Sequence, residues 1–160
     1  TGLSDLVDPY LREAIELAKE SMSQNKGGPF GAVIVKEESV IGTGTNHVTS
    51  KCDPTAHAEI MAIRDACQHT QDFSLEGCTL YSSCEPCPMC LSAIYWARIN
   101  TVYYASTKLE AAIIGFDDVW IEQELQKVPE NRSITMIHQP SKEAIALFQG
   151  WEDKGDKVGY

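Results

Sequence analysis

Residues 78–105 run CTLYSSCEPCPMCLSAIYWARINTVYYA. The segment 78–83 reads as a strand, Pro86 opens a helix that reaches about Arg98, and 101–105 reads as a second strand. Working upstream, Asp53-Pro54-Thr55 introduces a helix over 57–69. Before it, 30–36 and 40–46 form a hairpin whose turn is Glu37-Glu38-Ser39. An amphipathic helix over 10–23 comes first, with Leu11, Ala14, Ile15, Leu17, Ala18 and Met22 on its apolar stripe and Asp8-Pro9 as cap and first turn. Gly27-Gly28-Pro29 breaks it. Downstream, 109–114 is a short helix ended by Gly115, 121–127 adds a further turn or two, 133–138 alternates as a strand, and Ser141-x-Glu143 starts a last helix ending near Trp151. The tail from 153 to 160 has no period. Helices alternating with strands, with one hairpin among them, predict a partly antiparallel α/β sandwich.

The composition narrows the function. The chain has 160 residues, 43% apolar and 22% charged, which suits one ordinary globular core and excludes disorder and collagen-like repeats. No apolar run approaches the roughly 20 residues of a membrane-spanning helix, and no basic start precedes an apolar stretch. A soluble protein of the reducing cytoplasm is the expectation. Thirteen Lys+Arg against 23 Asp+Glu leave a net charge of −10, which gives no support for clamping a phosphate backbone. The expected partner is a small neutral molecule, with no nucleic acid and no membrane.

Six cysteines are present, and three stand as Cys84-x-x-Cys87-x-x-Cys90, too tight a run for comfortable disulfides but suited to metal or redox chemistry. His57-Ala58-Glu59 opens the second helix and Pro86-Cys87-Pro88-Met89-Cys90 the third. One imidazole and two thiolates at His57, Cys87 and Cys90 give zinc three ligands and leave the fourth position open, as a catalytic site requires. Helix N-termini at both ligand sets favour the thiolates. Glu59, two residues beyond His57, can face the same cleft and carry a proton from an activated water to a ring nitrogen and then to departing ammonia. The competing reading is a closed structural site completed by Cys84, which leaves Glu59 and Pro86 without a role. Cys52, Cys67 and Cys78, like Cys84, are expected to be small apolar core residues.

These residues match the H-x-E…P-C-x-x-C signature of zinc deaminases. Together with Gly28-Pro29-Phe30-Gly31-Ala32 and Thr55-Ala56-His57-Ala58-Glu59, they resemble the cytidine deaminase-like superfamily from the first helix to about Asp118. Within it, Gly27 to Val35, Asp53 to Glu59, Ser83 to Cys90, Ala111-Ala112-Ile113-Ile114-Gly115-Phe116-Asp117-Asp118 and a chain ending in Tyr160 are most similar to the small bacterial and plant-type guanine deaminases. The resemblance implies a three-layer α/β/α sandwich around a mixed five-stranded sheet, one zinc ion per subunit, and zinc-dependent hydrolysis of guanine to xanthine and ammonia. It assigns catalysis to Glu59 and Asp118, with Asp117 the rival for the second carboxylate. It assigns the purine to Phe30, Asn46, Trp96, Phe116 and the backbone N–H of Ala58. It also implies a catalytic domain over 1–150 and a tail over 151–160 that is exchanged in a homodimer, so that Trp151 contacts the second subunit and Tyr160 covers its pocket. Guanosine or tRNA adenosine deamination is the alternative within the superfamily; a zinc-binding scaffold without activity is the alternative outside it.

Overall fold

The computed structural model describes residues 7–160. Helix α1 (Pro9–Ser23) leads into strands β1 (Gly31–Lys36) and β2 (Ser39–Thr45). The short helix α2 (Val48–Lys51) and helix α3 (Ala58–Thr70) follow, then β3 (Thr79–Cys84), α4 (Pro88–Trp96) and β4 (Thr101–Ser106). Helices α5 (Lys108–Ile113), α6 (Asp118–Gln126) and α7 (Lys142–Asp153) complete the chain, with a 3-10 turn at Pro129–Asn131. Two compact units are present, one up to Glu122 and one from Gln123. The division falls within α6, and the expected boundary between 150 and 151 lies inside α7.

In the first unit the sheet order is β2-β1-β3-β4. β1 pairs antiparallel with β2 and β3, whereas β3 and β4 are parallel, in register Thr79 to Thr101. Glu37 and Glu38 make the hairpin turn, both in the left-handed region (φ 49° and 65°), which matches the twist of the paired strands. Central strand β1 is buried on both faces. Ala32 and Ile34 pack with Leu80, Ile94 and Ile99 under α3 and α4, while Val33 and Val35 pack with Ala14, Leu11 and Leu17 of α1. Period-two alternation thus feeds one core on each face, the three-layer arrangement.

Helix α3 sits on β2 at backbone distance. Its inner stripe is Ala58, Ala62 and Ala66, all fully buried. A Cβ on Gly44 would lie 2.1 Å from the Ala58 carbonyl oxygen, and one on Gly42 would lie 2.7 Å from that of Ala62. Small residues on both partners seat the N-terminus of α3 beside the end of β2.

The expected fifth strand is corrected. Among the described residues the sheet has four strands, and 133–138 is irregular, with Ile134, Met136 and Ile137 exposed. Alternation marks a two-faced segment, but a strand also needs a ladder partner, and the second unit offers none. That unit is organised instead around Glu124. Its Oε1 accepts the Ser133 N–H at 2.8 Å and Oε2 pairs with Lys127. Arg132 donates to the carbonyls of Glu124 and Leu125 at 3.1 and 3.0 Å. α7 has no buried residue.

Candidate active site

Two helix starts meet over the sheet. His57 is the N-cap of α3 and Cys87 the N-cap of α4, both with extended backbone, and Pro88 occupies the first helical position of α4. His57 Nδ1 lies 3.4 Å from Cys87 Sγ and 3.5 Å from Cys90 Sγ. Tetrahedral zinc with ordinary bond lengths separates a nitrogen from a sulfur ligand by about 3.5 Å, so these donors fit the ion without rearrangement. Cys84 is outside the cluster of donors. Its Sγ donates to the Thr107 carbonyl at 3.7 Å, and burial pushes its thiol up to about 12. Bonded elsewhere and outside the donor cluster, Cys84 does not complete a closed Cys3His set. Cys87, by contrast, is held down to about 4 by the thiol of Cys90 and by His57, whereas Cys90 is pushed up by that neighbouring thiolate and by burial.

Glu59 is 6% exposed and is the second residue of α3, in its first turn. Burial raises its carboxyl to about 7, with the Cys87 thiolate adding to the effect and His57 opposing it. A carboxyl held near neutrality is suited to taking and returning a proton at neutral pH.

A cavity of about 520 Å³ adjoins this centre, and His57, Glu59 and Cys87 line it. Phe30, Asn46, Phe116 and Asp118 line it as the sequence suggested. How the chain brings Phe116 and Asp118 there is local. Gly115 (φ 97°) ends α5 in a Schellman motif, with Phe116 N–H on the Ala111 carbonyl and Gly115 N–H on that of Ala112, each at 3.1 Å. The turn carries the Phe116 ring edge-on to Phe30, centroids 4.8 Å apart at 80°. It also starts α6 with Asp118 facing the cavity, its carboxyl raised by burial and then by the Cys87 thiolate. Asp117 is exposed and does not line the cavity.

Asn46, 4% exposed, commits its Oδ1 to the N–H groups of Gly28 (3.3 Å) and Val48 (3.1 Å), which leaves the amide NH2 as its donor for a ligand. Ala58 is the first residue of α3, so its N–H has no acceptor within the helix. Trp96 ends α4, is 64% exposed and is not among the residues around the cavity in the single chain. Tyr160 and Trp151 lie in the second unit and are exposed. Sequence reasoning missed Val48, Thr49, Pro54 and Glu85, which also line the cavity. Helix α2 has four residues, too few for any period to show; the Asn46-His47 pair ahead of it was the available signal, as an Asx turn.

An open His-Cys-Cys centre, a buried carboxylic acid beside it and an adjoining cavity on an α/β/α sandwich define a zinc-dependent hydrolase. The family described as the cytidine and deoxycytidylate deaminase zinc-binding region matches residues 6–106, and the chain belongs to it. His57, Cys87 and Cys90 are a group of donors that could hold the zinc ion this family binds. Guanine deaminase of Bacillus subtilis (strain 168) is 47% identical over 153 residues, 96% of this chain and 98% of that protein. The X-ray structure of guanine deaminase from Bacillus subtilis superposes with a TM-score of 0.91 at 48% identity, covering 94% of this chain and 96% of that one. A tRNA-specific adenosine deaminase of Aquifex aeolicus (strain VF5) is 34% identical over 140 residues, 87% of this chain and 89% of that protein.

Proposed function

We propose that this chain hydrolyses guanine to xanthine and ammonia. The observation that carries the reading is Asp118: a carboxyl in the wall of the cavity that His57 and Cys87 also line suits the donor edge that guanine presents with N1–H and its 2-amino group. A site built around such a pairing rejects rings that lack the donors, because an unpaired buried carboxylate costs about 1–3 kcal/mol. End-to-end similarity to a guanine deaminase supports the same choice.

Bound zinc supplies Lewis-acid activation of water at neutral pH. The residues do the rest. Glu59 takes a proton from the attacking water and delivers it to the ring nitrogen beside the amino-bearing carbon. As the C–N bond breaks, Glu59 takes the remaining proton from the newly added hydroxyl, which becomes the product carbonyl, and passes it to the leaving amine, which departs as ammonia. Phe30 and Phe116 hold the ring, the Asn46 amide and the Ala58 N–H donate to ring acceptors, and Asp118 accepts from the N1–H edge. Holding the ring this close to the attacking atom replaces a bimolecular encounter with a positioned one.

Guanosine is the second reading, because a cavity of about 520 Å³ has room for a ribose beside the base. A tRNA substrate is disfavoured by the net charge of −10. We place the catalytic body in 1–150 and read 151–160 as a tail exchanged within a homodimer, Trp151 against the second subunit and Tyr160 over its pocket. Exposed Ile145, Leu147 and Phe148 on α7 support a covering partner. Six free thiols support a cytoplasmic protein.

The test is ammonia release by zinc-loaded protein on guanine, guanosine, cytosine, adenine and a tRNA anticodon stem. Turnover of guanine alone is expected. Turnover of guanosine in its place would retain the zinc chemistry and overturn the substrate; full guanine turnover after deletion of 158–160 would remove the tail as a lid.

A further inference from the structure

Glu85 stands between Cys84 and the metal ligand Cys87 and lines the cavity. It is tied to the start of α5 at several points. Its Oε1 accepts the Lys108 N–H at 3.0 Å, its own N–H donates to the Ser106 carbonyl at 2.8 Å, and its Oε2 lies 4.0 Å from Lys108 Nζ. The same Nζ makes a close ion pair with Glu122 at 2.5 Å. Glu122 is four residues after Asp118, one turn on along the same face of α6. One ammonium therefore joins the cysteine-bearing segment, the start of α5 and the helix whose first residue is Asp118.

The placement has a physical purpose. A carboxylate on the first residue of a helix is aimed by that helix's direction and rotation, and helix ends fray. Only a Schellman turn and Asp117 separate α5 from α6, so the rotation of α6 needs an anchor one turn further in. Glu122 supplies the handle and Lys108 the clasp. All three side chains keep between a quarter and two fifths of their surface in water, so the pairs add little to stability as ion pairs. Their consequence is geometric.

We propose that Lys108 is a positioning residue for the base-reading carboxylate: by clasping Glu122 on α6 to Glu85 beside the cysteine ligands, it sets where Asp118 stands over the metal centre. The inference rests on the reading of Asp118 given above. Misplacing a contact group by about 1 Å costs up to two orders of magnitude, and partial loosening costs less.

The test uses the full zinc-loaded chain. Lys108→Met raises KM for guanine about 5- to 10-fold with kcat within about twofold, while zinc content and Tm match the wild type; Lys108→Arg, which keeps the clasp, restores KM. In an Asp118→Asn background, Lys108→Met adds less than about twofold, because its effect passes through the missing carboxylate. Independently of any substrate, amide exchange over 116–122 rises in Lys108→Met and stays low in Lys108→Arg. Multiplicative effects in the double variant, unchanged exchange over 116–122, or loss of zinc in Lys108→Met would each overturn the proposal. If the wild type releases no ammonia from guanine, the proposed function fails on its own account, and the exchange measurement alone decides the clasp.

Discussion

The two ends of the cavity are built differently. At the metal end, His57, Cys87, Cys90 and Glu59 stand on the first turns of α3 and α4, both anchored in the core through Ala62, Ala66 and Ile94. At the base end, Asn46, Val48, Phe116 and Asp118 come from a strand exit, a four-residue helix and the turn between α5 and α6. Rigid helix starts serve the fixed geometry a metal demands, and connecting segments serve a ligand whose shape varies among relatives.

The largest effect probes the metal end as a whole. Exhaustive chelation is expected to abolish ammonia release, and one equivalent of zinc per chain to restore it, measured against bound metal by atomic absorption. Next, Glu59→Gln should keep its zinc yet lose about 10²–10⁴ in kcat, which separates proton transfer from metal binding.

The same variant carries a stability signature. In the fold Glu59 ionises near 7 against an ordinary 4.5, so between those values the unfolded chain has lost a proton that the native state retains. Stability of the metal-free protein therefore falls as pH rises through that window, and Glu59→Gln lacks the slope. Urea unfolding should show metal-free Glu59→Gln level with metal-free wild type near pH 4 and about 3 kcal/mol more stable at pH 8. Equal slopes would show that burial does not hold the Glu59 proton in the fold.

At the base end, Asp118→Asn should lower kcat/KM for guanine roughly 5- to 150-fold and leave zinc content unchanged. The smallest effect sharpens the boundary of the cavity: Phe116→Leu should cost roughly 2- to 10-fold in KM, and Trp96→Leu less than twofold. Equal losses would extend the aromatic wall to Trp96.

Legibility followed the same division. His57-x-Glu59 and Pro86-x-x-x-Cys90 were readable because local spacing alone brings donor atoms to helix N-termini, and Asp8, Gly115 and Ser141 were readable as caps and stops for the same local reason. The fifth strand misled because alternation over 133–138 reports two faces but not a partner.

By itself, then, the sequence determined four strands and the helices α1, α3, α4 and α5, and it brought His57, Glu59, Cys87 and Cys90 forward as candidates, all consequences of neighbours within a few residues. Only the tertiary structure decided that Cys84 stays out of the donor cluster, that Asp118 and not Asp117 faces the cavity, and that Lys108 links Glu85 to Glu122. Those outcomes depend on which segments far apart in the chain come to lie side by side. That is settled by packing: by glycines at 42 and 44 admitting α3, by two faces of β1 filling two cores, and by a ladder that ends at β4.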